Sequence, residues 1–577
     1  MSPQISLAAI TGPRLLVIAA VFHIFLALAL FAAGRAGVAP RLIDRDGIMG
    51  SFAFDSYDYQ HGAIETSQLL RGGNLRSWAT AAQPLHVKLI AVPFALLNPV
   101  FGYSTLSAEP YNVVCYLAIV ALVFALGFEL GGRRAGVLSA VVVALWPTFL
   151  LHTLQLLKDP IFITVALAAL WCAITLLVRT YQPAASAGVS VIAILLLLLL
   201  ALVRFSAVLL FTAVAVLILA LLIVRQARER RLLFWNMMPA IVICLAALSL
   251  LPFISGQNIS CTKKYPSDQV GPLKNVADPG EQVPTLVRRI TAPYPSRSVA
   301  GDRLARRISS MRSRFAASYS DAGSLLDAQA EFRNVGDLLR YVPRAFEIGM
   351  WAPFPSMWLS AGRRVGNVGK IISGLETLAI YVLQALAALA LLREPRQLAR
   401  WFVIAILVCG VTSIAFVVPN AGAIYRFRYV FWILLVVAAI SGLNVSFAKQ
   451  RALKQVVTMI VIAGMLATAN GCASPVPIAK PTLALTNFTG TAFSAVYLSP
   501  SSATDWQENL LTSSRHKDGD TLEIQFEPNE QNVEWDLKIQ GTDGHYAEWK
   551  NLKFEGVSEI TLVLKLSATP VVVAEVE

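Results

Sequence analysis

Long apolar runs separated by short basic stretches dominate the chain. A run of about 16–22 apolar residues is long enough to cross a bilayer as a helix. Such runs occupy 15–33, 110–130, 135–152, 161–178, 189–203 and 206–224. They continue at 237–254, 371–392, 401–418, 429–447 and 456–468. The pattern predicts about eleven transmembrane helices, the last one short. From about 481 to 573 the period changes, and apolar and polar residues alternate, as in TLEIQF at 521–526 and EWDLKI at 534–539. Turn pairs such as Asp518-Gly519 and Asp543-Gly544 divide these stretches. Alternation with turns predicts a small β-sandwich of roughly six to eight strands. The expected fold is therefore a polytopic α-helical membrane protein with a C-terminal β-sandwich. The helical domain covers 1–470, with long outer loops at 34–109 and 255–370, and the sandwich covers 471–577.

Basic residues orient the runs. Arg133 and Arg134, Arg179, the arginines of 225–231 and 393–400, and the lysines and arginine of 449–454 mark one side. With the N-terminus in the cytoplasm and eleven crossings, all of them fall inside, as the positive-inside rule requires. Counting 86–101 as a further span inverts the later clusters. That segment, interrupted by Pro93 and Pro99, is expected to be a periplasmic or interfacial helix instead. The two long loops and the C-terminal domain then face outward. The expected location is a bacterial inner membrane, with the C-terminal domain in the periplasm.

Composition agrees. The 577 residues are 56% hydrophobic and 14% charged, against about 25% charged in soluble domains. This excludes an ordinary soluble enzyme, a disordered chain and a disulfide scaffold. The net charge of +13 largely marks cytoplasmic loops, so no nucleic-acid partner is expected. The six cysteines (115, 172, 244, 261, 409 and 472) form no CxxC pair, which argues against zinc or iron–sulfur binding. There is no P-loop, HExxH or Gly-x-Ser-x-Gly, and the cytoplasmic loops are too short for a nucleotide-binding domain. No nucleotide cofactor is expected. The stretch 449–472 imitates a lipoprotein signal ending at Cys472. Both cleavage before Cys472 and a last span with a tether remain open.

Candidate chemistry gathers on the outer side. The first outer loop carries Asp44, Asp46, Asp55 and Asp58. A carboxylate there suits a general base or a divalent-cation ligand, or simply a loop turn. Asp159 stands at the mouth of a span beside Lys158 and Pro160. It is either a helix cap or a functional acid, and Lys158 is placed to meet a phosphate. Arg204, Arg426 and Arg428 sit on the side where the charge rule disfavours arginine. They are candidate phosphate ligands, or interfacial anchors that snorkel to the headgroups. The arginine-rich stretch 303–314 reads as an amphipathic surface. In the β region, Trp506, Trp535, Tyr546 and Trp549 read as core or a carbohydrate surface, and His516 and His545 as surface residues.

The order of these features resembles bacterial GT-C superfamily glycosyltransferases, the group of protein O-mannosyltransferases and aminoarabinose transferases. The run begins with DSYDY at 55–59, then QPL at 83–85, FELGGRRAG at 128–136, LWP at 145–147, LKD at 157–159 and YRFR at 425–428. It covers about residues 13–447. The resemblance implies transfer of a sugar from a polyprenyl-phosphate-linked donor to a glycan, lipid or protein acceptor on the outer membrane face. It implies Asp55 as general base, with Asp58 the close alternative, and Asp159 as the second acidic position. It implies Arg204, Arg426, Arg428 and Lys158 at the donor phosphate. The Asp-Glu pair of some branches is absent, so the metal is unknown and a divalent cation remains an option. The C-terminal sandwich lies outside the resemblance. A lipid-linked glycan flippase and a non-catalytic polysaccharide-assembly protein are the alternative readings.

Overall fold

The structure is a computed structural model. It describes residues 12–443 and 482–576, less 257–262, 273–287, 290–299, 319–323, 359–365, 526–533, 554–558, 566–570 and shorter gaps. The expected span at 456–468, the signal-like stretch and Cys472 lie outside the described residues.

The helices run in the order α1 (Gly12–Arg35), α2 (Asp55–Arg71), α3 (Leu75–Thr80), α4 (Leu85–Phe101), α5 (Glu109–Ala144) and α6 (Pro147–Thr153). Next come α7 (Asp159–Val178), α8 (Pro183–Val203), α9 (Ala207–Glu229), α10 (Phe234–Gly256), α11 (Ala300–Ser318) and α12 (Val335–Trp351). The series ends with α13 (Pro355–Trp358), α14 (Gly366–Arg393), α15 (Leu398–Val417), α16 (Ala421–Phe427) and α17 (Tyr429–Ser441). Among the described residues, seven helices are long and apolar enough to cross a membrane. The number is up to eight if α16 and α17, bent by 60°, form one span. The chain is thus a predominantly helical, multi-pass membrane protein.

The expected eleven spans are not reached, for identifiable reasons. One expected span lies outside the described residues. The described apolar part of α10, Phe234–Leu250, is short. And α5 counts once although it folds back on itself. Gly132 breaks it with φ 75° and ψ −173°, a conformation open almost only to glycine. The Tyr116 hydroxyl donates to the carbonyl of Ala144 at 2.9 Å. A straight helix would hold these residues about 42 Å apart. The limbs meet at glycines, since a Cβ on Gly127 would lie 2.8 Å from the Gly136 Cα.

All the helices but α11 and the first part of α12 belong to a compact unit of Met1–Ile254, Phe346–Ala415 and Ala421–Cys472. Every residue of α17 is buried. A helix apolar on all sides belongs at the centre of a bundle, and α17 packs against α5, α7 and α14. Apolar side chains on α1 and α8, such as Phe25 and Leu202, stay exposed, as expected of surfaces meant for lipid. The segment 86–101, expected at the interface, is one helix, α4, despite Pro93 and Pro99. It lies along α2 and buries Val87, Ile90, Ala91 and Phe94.

The second unit gathers Ser255–Ala345, Phe416–Asn420 and Ala473–Glu577. The outer loop 255–370 was expected with the helices; its first part groups with the sandwich instead. It supplies β1 (Lys263–Pro266), β2 (Gln269–Pro272) and β3 (Arg288–Arg289). The C-terminal region adds β4 (Thr482–Phe488), β5 (Phe493–Pro500), β6 (Thr521–Gln525), β7 (Glu534–Gly541), β8 (His545–Lys553), β9 (Glu559–Lys565) and β10 (Val571–Val576). One sheet has the order β1-β10-β9-β4-β6-β3 and the other β2-β8-β7-β5. Loop strands thus close edges that the C-terminal strands alone leave open. Trp535 and Trp549 are core residues, 1% and 0% exposed. Trp506 and Tyr546 instead pack on the ammonium of Lys538, at 5.5 and 4.8 Å. His516 was expected at the surface. It is buried, stacked on Phe493, because its backbone pairs with that of Phe493. The side chain of His545 lies outside the described residues.

Candidate functional site

The helical unit brings together acids and bases that lie far apart in the chain. Asp55 opens α2, and Asp159 opens α7. Both carboxylates sit at helix N-termini, where backbone dipoles favour negative charge. Between them lies Arg426 of α16. Its Nη2 donates to Asp55 Oδ2 at 2.6 Å. Its Nε lies 3.2 Å from Asp159 Oδ2, although the angle there does not make a good hydrogen bond. The guanidinium therefore occupies the position a bridging cation would take. Among the described residues, no group of three or more His, Cys, Asp or Glu side chains is arranged to hold a metal ion. The residues present do not fit a metal between Asp55 and Asp159.

The two acids differ in access. The Asp159 side chain is 5% exposed and that of Asp55 is 29% exposed. Asp159 lies in the first turn of α7 but makes no cap of its own helix, because the cap position is Lys158. The only hydrogen bond of the Asp55 side chain among the described residues is that to Arg426. Its Oδ1 is left for another partner.

Two more cations adjoin this trio. Arg204 ends α8, with its guanidinium 5.1 Å from the Phe162 ring centroid and 4.6 Å from that of Phe427. Such contacts hold the charged plane without neutralising it. Burial pushes its affinity for protons down, while the negative field of Asp159 opposes this. Lys158 is also held below the usual lysine range, chiefly by burial and then by Arg204. Among the described residues, neither Arg204 nor Lys158 forms a protein hydrogen bond or ion pair through its side chain. Three cations thus face two carboxylates, and the site carries a net positive charge.

Asp58 and Arg428 are not part of this cluster. Asp58 is exposed on α2; it lies three residues on from Asp55, about 60° round the helix axis, on the flank that meets solvent. Arg428 is fully buried. Its Nη1 donates to the carbonyl of Gly349 at 2.9 Å, and its guanidinium lies 4.5 Å from the Trp432 ring. The 60° bend between α16 and α17 separates the two arginines. Arg426 turns toward the acids, and Arg428 plugs the bundle interior.

The turn that presents Arg426 is anchored from below. The neighbouring Tyr425 donates its hydroxyl to Glu376 of α14. Glu376 also accepts from the Thr148 backbone N–H at 2.8 Å and from its hydroxyl at 2.5 Å. The Tyr429 hydroxyl meets His152 Nδ1 at 2.9 Å. Sequence reasoning missed Glu376, although a lone acid inside the apolar run 371–392 was a usable signal. It also missed the buried pair of His23 and Glu109, 2.7 Å apart. Tyr59 was passed over too. It lies one turn beyond Asp55 on the same face of α2, and burial, Asp55 and Asp159 push its hydroxyl well above the usual tyrosine range.

Two apolar clefts lie elsewhere in the unit. One is lined by Trp146, Phe149, Ile380 and Trp432 among others, the second by Leu176, Leu197, Phe211 and Ile243 among others. They offer no polar chemistry. No family model, curated protein or solved structure matches the chain.

Proposed function

We propose that the chain is a GT-C-type glycosyltransferase that uses a polyprenyl-phosphate-linked sugar at the outer face of a bacterial inner membrane. The observation that carries this reading is the excess of positive charge beside two acids. Among the described residues, neither Arg204 nor Lys158 is paired directly with a protein anion, and Arg204 packs on two phenylalanine rings. An unmatched guanidinium and ammonium beside lipid-facing helices suit a phosphate attached to an apolar tail. The neighbouring carboxylates supply a base within the same cluster.

In this reading Asp55, the more exposed acid, accepts the proton of an acceptor hydroxyl through its free Oδ1. The hydroxyl oxygen bonds to the anomeric carbon as the bond from that carbon to the phosphate oxygen breaks. The lipid phosphate leaves with the electron pair, and its charge is met by Arg204 and Lys158. A single displacement inverts the anomeric carbon. Asp159 holds Arg426, which in turn orients Asp55. The eleven-span topology, with the N-terminus in the cytoplasm and the sandwich in the periplasm, belongs to the same proposal. It follows from the distribution of basic residues.

Transfer of labelled sugar from polyprenyl-phosphate donors, measured in membranes, is the direct test. Asp55→Asn is expected to abolish turnover while donor binding persists. Asp159→Asn is expected to lower turnover strongly. Full activity in both variants would overturn the assignment.

A further inference from the structure

A second group of polar atoms adjoins the charged cluster and is not accounted for by it. His86 is the second residue of α4 and is 3% exposed. Neither ring nitrogen meets a protein donor or acceptor. Its ring stands edge-on to Tyr59, with centroids 4.5 Å apart and planes at 86°. Tyr59 shares a helix face with Asp55. The charged groups that act on His86 are Lys158 and Asp159, both members of the cluster.

A buried polar group without a partner is costly, and such groups are rare unless a ligand or water meets them. The chemistry of His86 narrows the choice. Burial, and then the positive field of Lys158, lower its pKa to about 4, so at neutral pH the ring is uncharged. A neutral imidazole offers one N–H donor and one acceptor nitrogen. A phosphate has only acceptors at that pH and is already served by Arg204 and Lys158. A hydroxyl both donates and accepts, and matches the ring. Tyr59, partly exposed beside it, is an aromatic ring of the kind on which sugars pack.

We propose that His86 is a substrate-binding residue that takes a hydroxyl group of the sugar carried by the lipid phosphate. This rests on the glycosyl-donor reading of the cluster and adds to it a division of labour. Arg204 and Lys158 hold the anionic linkage, and His86 with Tyr59 selects the sugar.

The test uses the full chain in nanodiscs and four probes. These are undecaprenyl phosphate and the undecaprenyl phosphates of glucose, mannose and 4-amino-4-deoxyarabinose. The wild type is expected to bind at least one glycosylated lipid more tightly than the bare lipid phosphate. His86→Phe is expected to remove that advantage, about tenfold, the scale of one lost hydrogen bond. Its affinity for the bare lipid should stay within about twofold. His86→Gln, which keeps a donor and an acceptor, should retain part of the advantage. His86→Ala replaces the phenylalanine variant if the latter does not elute as a monodisperse species. The proposal is overturned if the wild type binds all four probes alike, or if removing the imidazole weakens the bare lipid as much as the glycosylated one. Retention of the full advantage in His86→Ala overturns it as well, and would leave the ring to a bound water. Arg204→Ala separates the two levels. Undiminished binding of bare undecaprenyl phosphate in that variant defeats the donor-phosphate reading, independently of the contrast read at His86.

Discussion

Replacing Arg426 tests the charge arrangement most directly. The guanidinium lies 2.6 Å from Asp55 Oδ2 and 3.2 Å from Asp159 Oδ2. At about 3 Å and an effective dielectric of about 20, each contact is worth roughly 5 kcal/mol before desolvation. The net value is smaller. The side chains of Asp55, Arg426 and Asp159 are 29%, 17% and 5% exposed, so water screens the Asp55 contact most. A charge-assisted hydrogen bond in such a setting leaves about 1.5–3 kcal/mol. Arg426→Gln strands two acids side by side, and breaking a buried pair in this way costs about 3–5 kcal/mol. Because the site is not sealed, the low end, about 3 kcal/mol, is expected. Asp55→Asn in the same background removes one stranded charge and should recover about 2 kcal/mol. The assay is reversible unfolding in mixed micelles, read as a double-mutant cycle of the wild type, both single variants and the pair. A coupling energy below about 0.5 kcal/mol, the level at which independent sites add, would refute the idea that Arg426 neutralises Asp55. It would then be free to serve the phosphate.

Three further outcomes follow from individual contacts. Arg204→Ala should weaken undecaprenyl phosphate binding about 10- to 100-fold, the scale of a charged hydrogen bond, and Arg204→Lys should restore only part, since a lysine does not stack between Phe162 and Phe427. Titration calorimetry or fluorescence in nanodiscs reads both. His86 makes stability depend on pH. Its folded pKa of about 4 lies below the ordinary 6.5, so between these values the unfolded chain takes up a proton that the folded chain refuses. Stability therefore falls as pH drops through that window, by about 1.4 kcal/mol per unit and roughly 3 kcal/mol in all. His86→Phe should lower that slope by the share of one proton, and equal slopes in variant and wild type would contradict the assignment. Gly132→Ala should destabilise the α5 hairpin by about 1–3 kcal/mol, measured by unfolding in micelles. The space around Gly132 is open, so the whole effect comes from backbone conformation at φ 75°, and a neutral substitution would remove that explanation.

The periodicity of the chain made its class legible. Apolar runs of bilayer length and alternating strands are local signals, and a helix or strand buries its face wherever it packs. The hairpin within 109–144 was also readable, since a basic Gly-Gly-Arg-Arg stretch at 131–134 stands between two apolar limbs. The carboxylates of Asp55 and Asp159 and the guanidinium of Arg426 were marked as unusual by their place beyond span ends. Their pairing was not. Asp55 and Arg426 are 371 residues apart, and no local pattern states which helix ends converge.

The sequence by itself determined that this is a multi-pass membrane protein with an added β domain, and which residue types near the span ends deserve a chemical role. Only the tertiary structure decided how those roles divide. Arg426 and Arg428 are two residues apart and look equivalent in the sequence. A bend of 60° between α16 and α17 sends one to the acids and the other into the bundle. His86 opens the apolar stretch 86–101 and drew no chemical role from the sequence. Its two unpartnered nitrogens became evident once α4 lay against α2. The large outer loop, which carries no strand signal of its own, joins the sandwich because its edge strands pair with β6, β8 and β10. In each case the cause is the same. Hydrophobic patterning acts over a few residues, whereas charge pairing, burial and strand closure depend on which distant segments packing brings together.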